Sequence, residues 1–393
     1  MIELLIWILA GCCCGVITGT LPGLHVNTLA FLLMLAFADM PTGIAAFIVS
    51  MAVTHSFYDF IPSIVLGVPD EDNYLSVLPG HRYFLKGLAY KAIMLTAIGG
   101  LLGTIFLSLI APLFIFFVEN AKNFMPIFIP WILVLVLVLV VLASKRKAQT
   151  AFVVLMSALL GIAVITNLSM KNGVTAIVLG IFSMSTLLIS LSGRSCLRKQ
   201  KLYLGKMGAE NALQGSLLAV IGSAIVSVLP SMGPNHAAFI LRKIFGKIKN
   251  EAYMVMIGGI NTCNLLFSLL VLQMVGKTRT GVALALRPFV ENNSNALILF
   301  VGVGFVAASF SVISISFIAK QILKNLPKVP YKKLNAATFF GICVFILLFG
   351  GLFELIVSLV ACAIGIYAAT AKVARSSCMA FLIVPTIIVY LGL

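Results

Sequence analysis

Gly19-Thr20-Leu21-Pro22-Gly23-Leu24-His25-Val26-Asn27-Thr28 interrupts an apolar run that begins at Ile2. Proline removes a backbone donor and glycine tolerates turns and close approach, so a helix is expected to stop here and restart. A second interruption, Leu229-Pro230-Ser231-Met232-Gly233-Pro234-Asn235-His236, divides the stretch 208–241. Shifted by 208 positions, 21–31 lies over 229–239, and Leu, Pro, Asn, Ala and Phe coincide at five of eleven places. The chain reads as two related halves, 1–207 and 208–393, each opening on a broken helix.

Working outward, the composition sets the solvent. Of 393 residues 61% are hydrophobic and 10% charged, against roughly 45–50% and about 25% in soluble domains. Uncharged stretches such as Trp131–Ala143, Ala151–Ile165, Ala296–Ile318 and Phe339–Phe353 recur along the chain. With their flanks most approach the roughly 20 residues that cross about 30 Å of hydrocarbon. They are expected to be helices, because in lipid a segment must satisfy its own backbone hydrogen bonds. The fold class is therefore an all-α polytopic membrane protein. About ten spans are expected, near 41–68, 92–118, 126–143, 149–168, 173–193, 251–275, 294–318, 334–349, 351–370 and 377–392, plus two broken-helix hairpins.

The net charge of +16 does not point to nucleic acid, because Lys and Arg sit in short clusters between apolar runs. With both interrupted stretches treated as hairpins, 22 of the 27 fall in 69–91, 144–148, 194–207, 242–250, 319–333 and 371–376. The other side holds Lys122, Lys171, Lys277, Arg279 and Arg287. By the positive-inside rule the clusters are cytoplasmic, and both termini lie outside the cell membrane. Five spans separate the hairpins, so the halves enter from opposite faces as an inverted repeat, the architecture of many secondary transporters. Leu9-Ala10-Gly11-Cys12 resembles a lipoprotein cleavage box, but Met1-Ile2-Glu3 lacks the basic start of a signal peptide, so a retained first helix is expected. The eight cysteines show no paired metal-ligand spacing and are expected to be reduced and mostly buried.

A helix restarting after each break presents unpaired N–H groups and a partial positive charge, a seat for a carboxylate or phosphate. The candidate solute residues are Thr20, Pro22, Gly23, His25, Asn27 and Thr28 in one half, and Pro230, Ser231, Gly233, Asn235 and His236 in the other. The following span of each half is polar at its middle, at Thr54-His55-Ser56-Phe57-Tyr58-Asp59 and at Asn261-Thr262-Cys263-Asn264. Ionisable groups within a membrane are functional candidates by default. His55, Asp59, Asn261 and Asn264 are therefore candidates for coupling to H+ or Na+, against a purely structural ion pair. Glu354 is a weaker intramembrane acid, placed near a helix start. Phosphate-cradling GxxxxGK[ST], HExxH and GxSxG motifs are missing, so ATP-driven or hydrolytic chemistry has no support. No cofactor is expected, and self-association is left open.

Gly15-x-x-x-Gly19-x-x-Pro22-Gly23-Leu24 resembles the glycine-proline signature of the large permease subunit of tripartite tricarboxylate transporters, the TctA family. The second break and the Gly80–Gly87 stretch are similar to that family's layout. The resemblance implies an ion-driven secondary carrier of small organic anions, working with a small membrane subunit and an extracytoplasmic binding protein. The chain is shorter than the usual permease, which keeps a stand-alone relative in view. Two other readings stand beside it. One is a translocase for polyprenyl-phosphate or another anionic lipid, whose head group suits the same helix ends. The other is an intramembrane enzyme using His25, His55, His236 and Asp59.

Overall fold

In the computed structural model the chain is a set of packed helices. Residues 2–392 are described apart from 22–25, 38–39, 67–76, 122, 167–172, 193–198, 230–233, 247, 277–279, 292, 294 and 327–330. Among the described residues eight helices are long and apolar enough to cross a membrane, and four more are apolar but shorter. The protein is thus a multi-pass α-helical membrane protein.

The first half contains α1 (Ile2–Thr20), α2 (Val26–Ala36), α3 (Thr42–Tyr58), α4 (Phe60–Leu66), α5 (Val77–Leu85) and α6 (Ala89–Ala121). It continues with α7 (Met125–Leu142), α8 (Lys147–Ile165), α9 (Gly173–Val178), a π-helical turn at Leu179–Met184 and α10 (Ser185–Ser192). The second half contains α11 (Ala209–Val228), α12 (Pro234–Ile244), α13 (Asn250–Val275), α14 (Gly281–Glu291) and α15 (Ala296–Asn325). It ends with α16 (Tyr331–Phe349), α17 (Leu352–Thr370), a 3-10 turn and α18 (Ala380–Leu391). Two expectations change in detail. The first helix of each interrupted stretch is itself of membrane length, at Ile2–Thr20 and Ala209–Ser227, whereas the spans expected near 126–143, 173–193, 334–349 and 377–392 are the short ones. The stretch after α13, expected to be an outer loop, contains α14.

Helix boundaries repeat along the chain. Adding 208 carries α2 onto 234–244, the bounds of α12, and carries 42–66 onto 250–274, beside Asn250–Val275. Residues 89–121 land on 297–329, beside Ala296–Asn325. Packing repeats as well: α1 lies on α3 as α11 lies on α13, and α15 on α3 as α6 on α13.

Glycines set these contacts. Gly11 of α1 faces Phe47 and Ser50, Gly15 faces Met51 and Thr54, and Gly19 faces Tyr58 and Asp59. A small residue every fourth position lets two backbones approach closely. The rising pairs also fix direction: α1 and α3 are parallel, so the chain turns back between Thr20 and Thr42. In the second half Gly215 meets Ala252 and Val255, and Ser223 donates to Ile260 O, so α11 and α13 are parallel too. Asn261 reaches Ser56 and Asp59, while Ile64 lies with Gly80 beside Met254. Against α3 and α4 the numbering of α13 falls, so these two central spans are antiparallel.

Both central spans are 94% buried along their apolar windows, whereas α8 and α17 are 33% buried. In lipid the less apolar spans belong at the centre, where their polar groups find protein partners, and the two central spans are less apolar than α8 and α17. Around them α1–α6 and α11–α15 form one bundle, and α7–α10 with α16–α18 form a second. Each half contributes to both, and among the described residues no extensively packed helix pair joins the two bundles. Basic segments from three of the expected inside loops gather at one end. There Lys91 pairs with Glu251 at 2.5 Å, Lys201 N donates to Gly87 O at 2.8 Å, and Lys320 lies 5.3 Å from the Tyr90 ring centre.

Candidate functional site

α3 passes into α4 at Asp59, whose backbone keeps helical dihedrals, φ −61° and ψ −19°. Asp59 N donates to His55 O at 3.0 Å and Asp59 O accepts from the Ser63 hydroxyl at 2.8 Å, so the two helices form one span. The expected common face of His55 and Asp59 is kept, and both line the same cavity. That cavity is small, with about 40 Å³ of room for water-sized centres, is partly open, and is bounded by Val26, Asn27, Ala52, His55, Ser56, Asp59, Asn261, Asn264, Leu265, Thr280 and Val282.

The polar groups are held by cross-helix bonds. Asn261 Nδ2 donates to Asp59 Oδ2 at 2.9 Å and to Ser56 O at 3.0 Å. Ser56 Oγ and Thr262 Oγ1 are 3.0 Å apart. His55 Nδ1 lies 3.0 Å from Thr18 Oγ1 of α1, which fixes the ring against the first helix. Asp59 is 3% exposed, His55 4% and Asn261 5%. Buried groups of this kind are kept polar and oriented only where partners surround them.

Two helix starts face the cavity. Val26 and Asn27 open α2, and Thr280 and Val282 open α14. Asn27 Oδ1 accepts the Val282 N–H at 3.0 Å, and Thr280 Oγ1 accepts the Ala283 N–H at 3.1 Å, a hydroxyl N-cap. Gly281 is needed here, since a Cβ would press on the Asn27 side chain at 2.7 Å. Both N-terminal ends carry the positive pole of their helix.

Five expected residues, Asn27, His55, Asp59, Asn261 and Asn264, come together in this one cavity. Thr20 does not join them: it ends α1, and its hydroxyl donates back to Val16 O at 2.7 Å. Pro22, Gly23, His25, Pro230, Ser231 and Gly233 lie outside the described residues. Thr28 falls on α2, and Asn235 and His236 on α12, with side chains outside the description. Gly19, read as part of the break, is a packing residue inside α1. Sequence reasoning missed Thr280 and Val282; the signal was Thr280-Gly281 ahead of the apolar run Val282–Leu286. Among the described residues there is no group of three or more His, Cys, Asp or Glu able to hold a metal.

Compared with known proteins, residues 5–380 match the sequence profile of the tripartite tricarboxylate transporter TctA family. A protein of Methanocaldococcus jannaschii described as uncharacterized is 30% identical, over 98% of this chain and 99% of its own length. No solved structure matches significantly.

Proposed function

The chain belongs to the tripartite tricarboxylate transporter TctA family, and from that premise we propose that it is a secondary carrier of a small carboxylate-bearing anion, driven by H+ or Na+. The observation that carries the reading is the cavity where a buried carboxylate, Asp59, shares one space with the positive ends of α2 and α14. The helix ends attract an anion. The ionised Asp59 repels it: two like charges about 6 Å apart interact by about 3 kcal/mol at an effective dielectric of about 20. A proton or Na+ at Asp59 removes that repulsion, and a bound anion in turn raises the affinity for the cation. Such linkage is reciprocal, and it is the thermodynamic content of co-transport. Asn261 and His55 hold the Asp59 region in register, and Asn264 adds a polar wall.

Alternating access requires two states of similar energy. An inverted repeat meets that need, and it is supported by the parallel pairs α1 with α3 and α11 with α13 about antiparallel central spans. The halves then correspond to 1–207 and 208–393, each with a helix, a break and a returning half-helix. The sparse packing between the two bundles favours movement of the site-bearing bundle as a unit beside the second one. In this reading the protein lies in the cell membrane with its basic end in the cytoplasm and its termini outside. An extracytoplasmic binding protein and a small subunit are the partners to which the family's tripartite description points.

Purified protein in liposomes tests the function. Labelled tricarboxylate is expected to accumulate when a proton or sodium gradient is imposed and to stay at equilibrium without one. Gradient-independent entry alone, or recovery of a chemically altered solute, would overturn the assignment.

A further inference from the structure

A second cavity lies in the other bundle, away from the Asp59 site. It is walled by Thr175 and Ala176 of α9, Phe345, Ile346 and Phe349 of α16, Gly350, and Glu354 in the first turn of α17. Glu354 is 5% exposed, and no described residue gives its carboxylate a hydrogen bond or an ion pair. Most of the wall around that charge is hydrocarbon. The Phe345 and Phe349 rings are 4.8 Å apart between centroids and inclined by 36°, and a ring face attracts cations.

We infer that this cavity binds an organic ammonium group, with Glu354 as its counter-ion and the two phenylalanine rings around its alkyl substituents. A bare metal ion fits poorly. Hard cations gather about six or more oxygen ligands, and here the side chains provide only the Glu354 carboxylate and the Thr175 hydroxyl. One carboxylate balances one positive charge, and aromatic walls suit a cation that is weakly hydrated. The cavity lies at the α16–α17 turn, at the opposite end of α16 from Lys332 and Lys333. Beside it Phe349, Leu352 and Phe353 are 59%, 64% and 71% exposed. A ligand resident in the bilayer can therefore reach the site as well as one dissolved in water. The ammonium can belong to an aminolipid head group or to a free amine.

The test is thermal unfolding of the full chain in four settings. These are nanodiscs of ethanolamine-headed lipid, nanodiscs of glycerol-headed lipid, and glycerol-lipid nanodiscs with added ethylammonium chloride or an equal concentration of sodium chloride. An upward shift of about 3 °C or more with either ammonium source is expected for the wild type. Glu354→Gln should lose the shift, and Phe345→Leu, which keeps the charge, should lose part of it. A shift confined to ethanolamine lipid identifies a lipid ligand, and one confined to ethylammonium a free amine. The inference is overturned if neither source shifts the midpoint, if sodium chloride does as well as ethylammonium, or if Glu354→Gln responds like the wild type.

Discussion

Asn261 donates one amide group to two acceptors on the facing span, the Asp59 carboxylate at 2.9 Å and the Ser56 carbonyl at 3.0 Å. It joins the centres of the two antiparallel helices and keeps the site's only described carboxylate in place.

Asn261→Leu fills the same volume and withdraws both bonds. Leaving buried acceptors unpaired costs about 1–3 kcal/mol, more beside a charge. A lower melting midpoint in detergent is expected, together with weaker anion binding. An unchanged midpoint would mean that these bonds do not tie the two spans.

Asp59→Asn keeps the shape and removes the titrating charge. Anion binding should become insensitive to pH and to Na+, and entry down the anion's own gradient should continue. Accumulation against that gradient should vanish. Full pH-dependent uptake in this variant would sink the coupling role.

Two glycine substitutions form a matched pair. A Cβ on Gly258 would overlap the Thr96 backbone of α6, with Cα at 2.5 Å, whereas nothing lies within 4 Å of one on Gly302. Gly258→Ala should lose about 1–3 kcal/mol through overpacking. Gly302→Ala should gain about 0.5–1 kcal/mol from helix propensity. Chemical denaturation read by tryptophan fluorescence distinguishes the two.

His81 lies outside the spanning helices, with Nδ1 3.0 Å from Ile64 O. Burial pulls its pKa below the ordinary value, partly offset by that bond. The unfolded chain then binds more protons than the folded one. The stability involved is fully present above about pH 6.5 and is lost as pH falls through the lower folded value. Melting midpoints from pH 7.5 to 5 should fall less steeply in His81→Gln.

Movement of one bundle past the other has a spectroscopic signature. Leu213 on α11 and Leu359 on α17 are half exposed and lie in different bundles, while Ile298 on α15 shares the bundle of Leu213. With exposed Cys13 replaced by serine, spin labels at 213 and 359 should change separation on adding tricarboxylate and Na+. Labels at 213 and 298 should not. Equal behaviour of the two pairs would count against rigid-bundle motion.

The sequence made the polar lining of the cavity legible where lipid makes polarity expensive. His55, Asp59, Asn261 and Asn264 stood out because each interrupts an apolar span, and four of four line the same cavity. Asn27 was found through the repeated Pro and Asn. Thr280 and α14 were hidden because an eleven-residue helix containing Pro288 and flanked by charge resembles an outer loop. The division into two bundles was not legible at all. A leucine facing lipid and one facing a neighbouring helix have the same hydropathy, so only packing separates α7 from α6. Gly15 and Gly19 were read from a motif, and their spacing turned out to describe a helix contact.

The bond between Asp59 and Asn261 spans 202 residues of sequence. A ribosome adding roughly 5–20 residues per second delivers the aspartate to the membrane about ten to forty seconds before its amide partner exists. During that interval the nascent first half must keep a carboxyl group in oil, protonated or shielded by the insertion machinery. Biogenesis of this protein therefore has a built-in waiting period, in which Asp59 lacks its Asn261 bond.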